Sequence, residues 1–172
     1  QGLTAVAESM MPRWKGERGV GVVLEKQRPG VEASYRIVSN MLSFAIGFDF
    51  KTPKARATVI HEMVHAMHDT LGARHNSSDR GGRMQTKESE NEAAAYVADA
   101  LFSLFEEQPA PKPAAYNADK TIAQASYAIA MAIKDTPGVK VDTSMAAELR
   151  VAIMKDPVYK AIRHDPMTRS RG

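Results

Sequence analysis

The chain has 172 residues, 44% hydrophobic and 25% charged, the balance of an ordinary globular protein long enough for one domain with a real core. Its net charge of +3 is weak ground for a nucleic-acid or membrane partner, and no apolar run approaches the roughly 18 residues that span a bilayer. The absence of cysteine excludes disulfide scaffolds and thiolate metal sites. The chain begins at Gln1, with neither methionine nor a signal-peptide pattern, as expected of a piece trimmed from a longer protein.

Residues 1–19 carry Pro12, Gly16 and Gly19 among four basic residues and read as a loose lead-in. Residues 20–50 read as a small antiparallel sheet of about three strands. The strands are Val20 to Glu25, Ser34 to Ser39 and Leu42 to Phe50, with a turn at Gln27-Arg28-Pro29-Gly30 and a break at Asn40-Met41. Alternation puts Phe44, Ile46, Phe48 and Phe50 on one side of the last strand. Such a sheet covers the helix that follows, and an edge strand offers an extended peptide a place to pair.

The next segment, residues 52–71, reads as a helix. Thr52 is a good N-cap, Pro53 suits the first turn, and Gly72 is placed to end it. Val59, Ile60, Met63, Val64, Met67 and Leu71 form an apolar flank, and His61, Glu62, His65, His68 and Asp69 share the other side. His61-Glu62-Met63-Val64-His65 is an H-E-x-x-H motif. In a helix its two imidazoles stand one turn and about 40° apart, so both can point at one metal ion, with Glu62 beside them as a base for an activated water. A third histidine ligand from the same helix reaches a tetrahedral site poorly, which gives His68 a supporting or cleft role. Asp69 can accept a hydrogen bond from an imidazole and set its tautomer.

Residues 72–87 form a polar, glycine-rich loop carrying Arg74, His75, Arg80 and Arg83. A strong helix follows over 88–108, capped by Thr86 or Ser89. Its polar stripe holds Glu88, Glu92, Tyr96, Asp99, Ser103 and Glu106; its apolar face holds Ala94, Val97, Ala98, Leu101, Leu104 and Phe105. Glu90 falls about 160° from Glu92, on the apolar face, where a carboxylate is costly unless paired, hydrogen-bonded or metal-bound. That singles out Glu90 as third ligand, ahead of Glu88 and Glu92.

His61-Glu-Met-Val-His65 followed by this glutamate-bearing helix resembles the zincin metallopeptidases of the glutamate-ligand type, the gluzincins. The run Glu90-Asn-Glu-Ala93-Ala-Ala-Tyr96-Val97 is similar to the E-x-x-A-[DN]-x-[FY]-A pattern of several such families. It departs at Val97 and at Ala94, where the usual Asp or Asn would brace a zinc-bound histidine; Asp69 or Asp99 would have to supply that brace. H-E-M-V-H-A-M-H also resembles the H-E-L-[IV]-H-A-x-H form of bacterial toxin and effector proteases. Metzincins match poorly, since His68 and Leu71 stand where glycine and histidine are needed. The resemblance covers residues 58–101. It implies a zincin-like α+β fold and zinc held by His61, His65 and Glu90. It further implies Glu62 as general base, a protein or peptide substrate, and secretion or delivery as a toxin or effector. His68, His75, Arg83, Tyr116 and Tyr127 are the candidate oxyanion donors.

Pro109-Ala-Pro-Lys-Pro113 is a stiff connector. Residues 114–172 read as a helical subdomain. Its helices run over Ala118 to Asp135, stopped by Thr136-Pro-Gly138, and Asp142 to Lys155, with a short helix over Pro157 to His164 and a basic tail. Two other readings fit the same sequence. One is a non-proteolytic zinc site closed by a fourth protein ligand such as His68. The other is a helical protein- or nucleic-acid-binding module that uses the arginine-rich loop and tail.

Overall fold

The computed structural model describes residues 19–75, 88–112, 120–136, 138–141, 144–157 and 159, with backbone alone for 71–75 and 88–89. Residues 1–18 of the expected lead-in, most of the arginine-rich loop, the last short helix apart from Pro157 and Tyr159, and the basic tail lie outside the described residues. The chain is α+β, and the described residues form a three-stranded sheet and four helices. It divides into two compact units, Gln1–Thr86 and Lys87–Gly172. None of the described helices is long and apolar enough to cross a membrane.

In the first unit the strands are β1 (Gly21–Glu25), β2 (Ala33–Arg36) and β3 (Met41–Ala45). The sheet is mixed rather than antiparallel. Its order is β1-β3-β2, with β3 antiparallel to β2 and parallel to β1. The turn at residues 28–31 does not close a hairpin. The seven residues between β1 and β2 carry the chain past the place beside β1, and β3 fills it. The β2–β3 turn is tight, closed by Asn40 N–H to the Ile37 carbonyl, with Asn40 in the left-handed region at φ 52°. β3 is shorter than expected. Gly47, at φ 85°, breaks the alternation, so Ile46 is exposed while Phe48 and Phe50 fold back onto Phe44 with ring centroids 4.8–5.1 Å apart.

Helix α1 (Pro53–His75) starts as its cap residue dictates. Thr52 Oγ1 accepts the Ala55 N–H at 3.1 Å. It runs through Gly72 instead of ending there; a helical glycine costs about 1 kcal/mol relative to alanine, too little to stop it. Ala66, fully buried, with Val59 and Met63, packs α1 onto Ala33, Leu42 and Phe44 of β2 and β3. Val22 and Leu24 of β1, in register with Leu42 and Phe44, remain exposed because α1 lies over the other two strands. Within the sheet, Ser43 is fully buried without penalty, because it donates to Glu25 and accepts from Gln27; Glu25 also pairs with Arg36.

The second unit packs α2 (Glu88–Phe105), α3 (Ile122–Ile133) and α4 (Ala147–Lys155) against one another. Its core joins Ala93 and Val97 to Ala125, Ile129, Ile133, Leu149 and Ile153, with Tyr96, Leu101 and Tyr159 at the edge. The packed stripe of α2 is rotated from the expected apolar face. Two helices contact α2 rather than one, so Tyr96 enters the core while Phe105 is 80% exposed. α3 begins at Ile122, later than expected, where Thr121 and Gln124 form a reciprocal capping box. α4 is likewise shorter, beginning at Ala147.

α2 ends in a Schellman turn, with Gln108 N–H on the Ser103 carbonyl and Glu107 N–H on the Leu104 carbonyl. Glu107 occupies the left-handed position at φ 53° that glycine usually fills. Glu107→Gly is expected to raise the unfolding free energy by about 1 kcal/mol. Phe44→Ala, which opens the first unit's aromatic cluster, is expected to lower it by about 3–5 kcal/mol. Urea denaturation followed by circular dichroism measures both.

Candidate functional site

The H-E-x-x-H run lies in the middle of α1, where helix geometry brings its two imidazoles side by side. The His61 and His65 rings meet edge to face at 74°, with centroids 4.9 Å apart. His61 is buried, 9% exposed, among otherwise apolar buried positions of this helix, and His65 is half-buried. A buried imidazole on an alanine- and valine-lined helix needs polar engagement to offset its desolvation. His68 follows on the same side and is half-buried.

Glu62 and Asp69 both reach strand β2. Strand register explains how they are held. Ala45 N–H bonds to the Glu32 carbonyl, which makes Ser34 and Arg36 the other hydrogen-bonded positions of β2 and leaves the Ala33 and Tyr35 N–H groups pointing away from β3. Tyr35 N–H donates to Glu62 Oε2 at 2.7 Å, a charge-assisted bond that orients the carboxylate. The Tyr35 phenol lies 2.8 Å from both Asp69 Oδ2 and Asn40 Oδ1; its one proton goes to the carboxylate, the stronger acceptor. One residue of β2 therefore holds two acids of α1, almost two turns apart. Asp69, a candidate to brace an imidazole, has one oxygen committed to Tyr35. The bond at Tyr35 also occupies an edge N–H of β2 that an extended peptide would need for pairing.

In the second unit the acids of α2 meet different partners. Glu90, expected on the apolar face, pairs with Arg150 of α4 at 3.5 Å. That ion pair supplies the compensation a carboxylate at the edge of a core requires. Arg150 Nε is buried with no hydrogen-bond partner among the described residues. Glu92 Oε2 accepts a hydrogen bond from the Tyr159 hydroxyl at 2.8 Å, and the Tyr159 and Tyr96 hydroxyls are 2.7 Å apart. Because Tyr159 has one proton and gives it to Glu92, Tyr96 donates to the Tyr159 oxygen. Burial, and then the Glu92 charge, push the Tyr159 phenol far above its ordinary range; burial also raises Tyr96. Both phenols are thus held neutral as donors. Asp99 Oδ1 accepts from Ser103 on its own helix at 3.3 Å.

Of the candidate oxyanion donors, His68 and Tyr127 are described and half-buried, whereas Arg83, Tyr116 and the side chain of His75 lie outside the described residues, as does that of Glu88. Sequence reasoning missed Tyr35 and Tyr159. Tyr96 was legible beside Glu92 because it follows one turn later on the same helix; Tyr159 lies 67 residues from Glu92, and no local pattern connects them. A shallow apolar groove lined by Ala125, Ala128, Ile129, Ala132, Met145 and Leu149 brings no catalytic group, since its one acid, Glu148, is paired with Lys120 at 2.6 Å.

Comparison with family models, curated proteins and solved structures finds no match to this chain. The functional reading therefore stands on the residues and their geometry.

The phenols generate a pH dependence in the metal-free protein. Their folded-state pKa values lie above the ordinary value of 10.0, so the native state keeps protons that the unfolded chain releases. Stability is expected to hold below pH 10 and to fall as pH rises beyond it, by up to one proton's slope per tyrosine. Tyr159→Phe should flatten that fall, as read by urea denaturation between pH 9 and 11.

Proposed function

We propose that this protein is a zinc-dependent endopeptidase with a zincin-like active site. The observation that carries the proposal is the paired His61 and His65 imidazoles on α1, flanked by a glutamate whose carboxylate is anchored by strand β2. Two neutral imidazoles with a carboxylate form a nitrogen–oxygen donor set that suits zinc. Helix periodicity points to Glu90 as third ligand, but hydrogen bonding within the second unit favours Glu92. The Arg150 guanidinium competes for the Glu90 carboxylate, whereas the neutral Tyr159 hydroxyl orients the Glu92 carboxylate.

When bound, zinc lowers the pKa of a water molecule and polarises a peptide carbonyl. The chain's own residues do the rest. Tyr35 N–H holds Glu62 Oε2 and so orients the carboxylate that would take a proton from the attacking water and return it to the leaving amine. His61 and His65 would each hold the metal through one ring nitrogen. The likeness of H-E-M-V-H-A-M-H to toxin and effector proteases extends the proposal to a delivered bacterial effector acting on a host protein.

The test is elemental analysis beside a peptide-hydrolysis assay on a casein substrate. Wild type is expected to carry one zinc per chain; His61→Ala and Glu92→Ala lose or weaken it, and Glu90→Ala keeps it. Glu62→Gln retains the metal and loses activity by about 10²–10⁴-fold. A wild-type protein that takes up no zinc on reconstitution would overturn the reading, and zinc lost in Glu90→Ala but kept in Glu92→Ala would exchange the two glutamates. Metal retained without any hydrolysis would leave a structural site instead.

A further inference from the structure

We infer that Tyr159 is a positioning residue that braces the Glu92 carboxylate and thereby sets zinc affinity; this rests on the zinc reading. Three observations within the second unit carry it. The Tyr159 hydroxyl donates to Glu92 Oε2 at 2.8 Å. Tyr159 also packs at the edge of the core built by Ala93, Val97, Leu149 and Ile153, so its ring is fixed by apolar contact and not only by the bond it makes. Tyr96, one helical turn after Glu92, meets the Tyr159 ring at 78° and its hydroxyl at 2.7 Å, completing a chain from Tyr96 through Tyr159 to the carboxylate.

The chemistry of such a chain favours a metal ligand. A carboxylate that coordinates through one oxygen leaves the other in need of a donor, and an aligned phenol fixes the rotamer while leaving the negative charge in place. Hydroxyls in series polarise one another, so the bond to Glu92 is stronger than an isolated phenol would make it.

The experiment measures zinc affinity of the full chain by competition with a chromophoric chelator, alongside the melting temperature of each apo protein and the visible spectrum of its cobalt(II) form. Tyr159→Phe, which keeps the ring and removes only the hydroxyl, is expected to weaken zinc binding about 10–100-fold. It should leave the apo melting temperature near that of wild type and alter the cobalt bands. Tyr96→Phe leaves the Tyr159–Glu92 bond intact and is expected to cost about 3-fold or less, since it removes only the cooperative part. Wild-type affinity in Tyr159→Phe would overturn the inference and leave the zinc reading standing. Equal losses in the two variants, or a loss matched by a fall in apo stability with unchanged cobalt bands, would overturn it as well by showing a packing effect. Failure of the wild type to bind zinc would instead defeat the underlying reading.

Discussion

The hydrogen bond from Tyr35 N–H to Glu62 ties the sheet to the motif helix, and much of the first unit's chemistry depends on it. A carboxylate on a helix surface samples several rotamers; one that accepts an edge-strand N–H is confined to few. That N–H is available because β2 pairs on one side only, and because its register leaves the donor of Tyr35 facing away from β3. Packing of Ala66 against the sheet brings the helix close enough for the bond, since a larger side chain there would hold α1 away. The same residue's phenol reaches Asp69, so strand and helix are joined at two points. A contact that stabilises the fold thereby also aims the proposed base.

The second unit solves a similar problem by a different route. There the core is built from three helices, and its polar groups sit at the edge of that core rather than on a strand. Glu90 and Glu92, two residues apart on one helix, are directed to different partners, a guanidinium and a phenol. The difference matters chemically. A guanidinium satisfies a carboxylate by offsetting its charge, whereas a buried phenol with a raised pKa orients the carboxylate as a neutral donor.

Much of the local organisation was legible because it rests on short-range physics. Thr52 caps α1 through a hydroxyl three residues from its acceptor, and the His61–His65 spacing becomes a ring pair once the segment is helical. The α+β class follows from strand-like runs preceding helical ones. The errors have equally physical causes. An antiparallel sheet was expected because successive strands often pair, yet a seven-residue connection lets β3 enter between β1 and β2. Gly72 is placed to stop α1, yet the helix runs through it because one glycine costs it little. The buried face of α2 was rotated because periodicity describes one packing partner and this helix has two.

By itself, the sequence determined the H-E-x-x-H motif, the helix that carries it, the α+β class and the set of acids proposed to join it. These depend on spacings of a few residues, where backbone geometry leaves little freedom. Only tertiary structure decided that Tyr35 holds Glu62 and Asp69, that Arg150 takes Glu90, and that Tyr159 reaches Glu92. Each of these pairs is separated by 27 to 67 residues. No periodicity spans such separations. The partners are chosen by which apolar faces pack, and the polar groups at the edges of those faces take the neighbours that packing gives them.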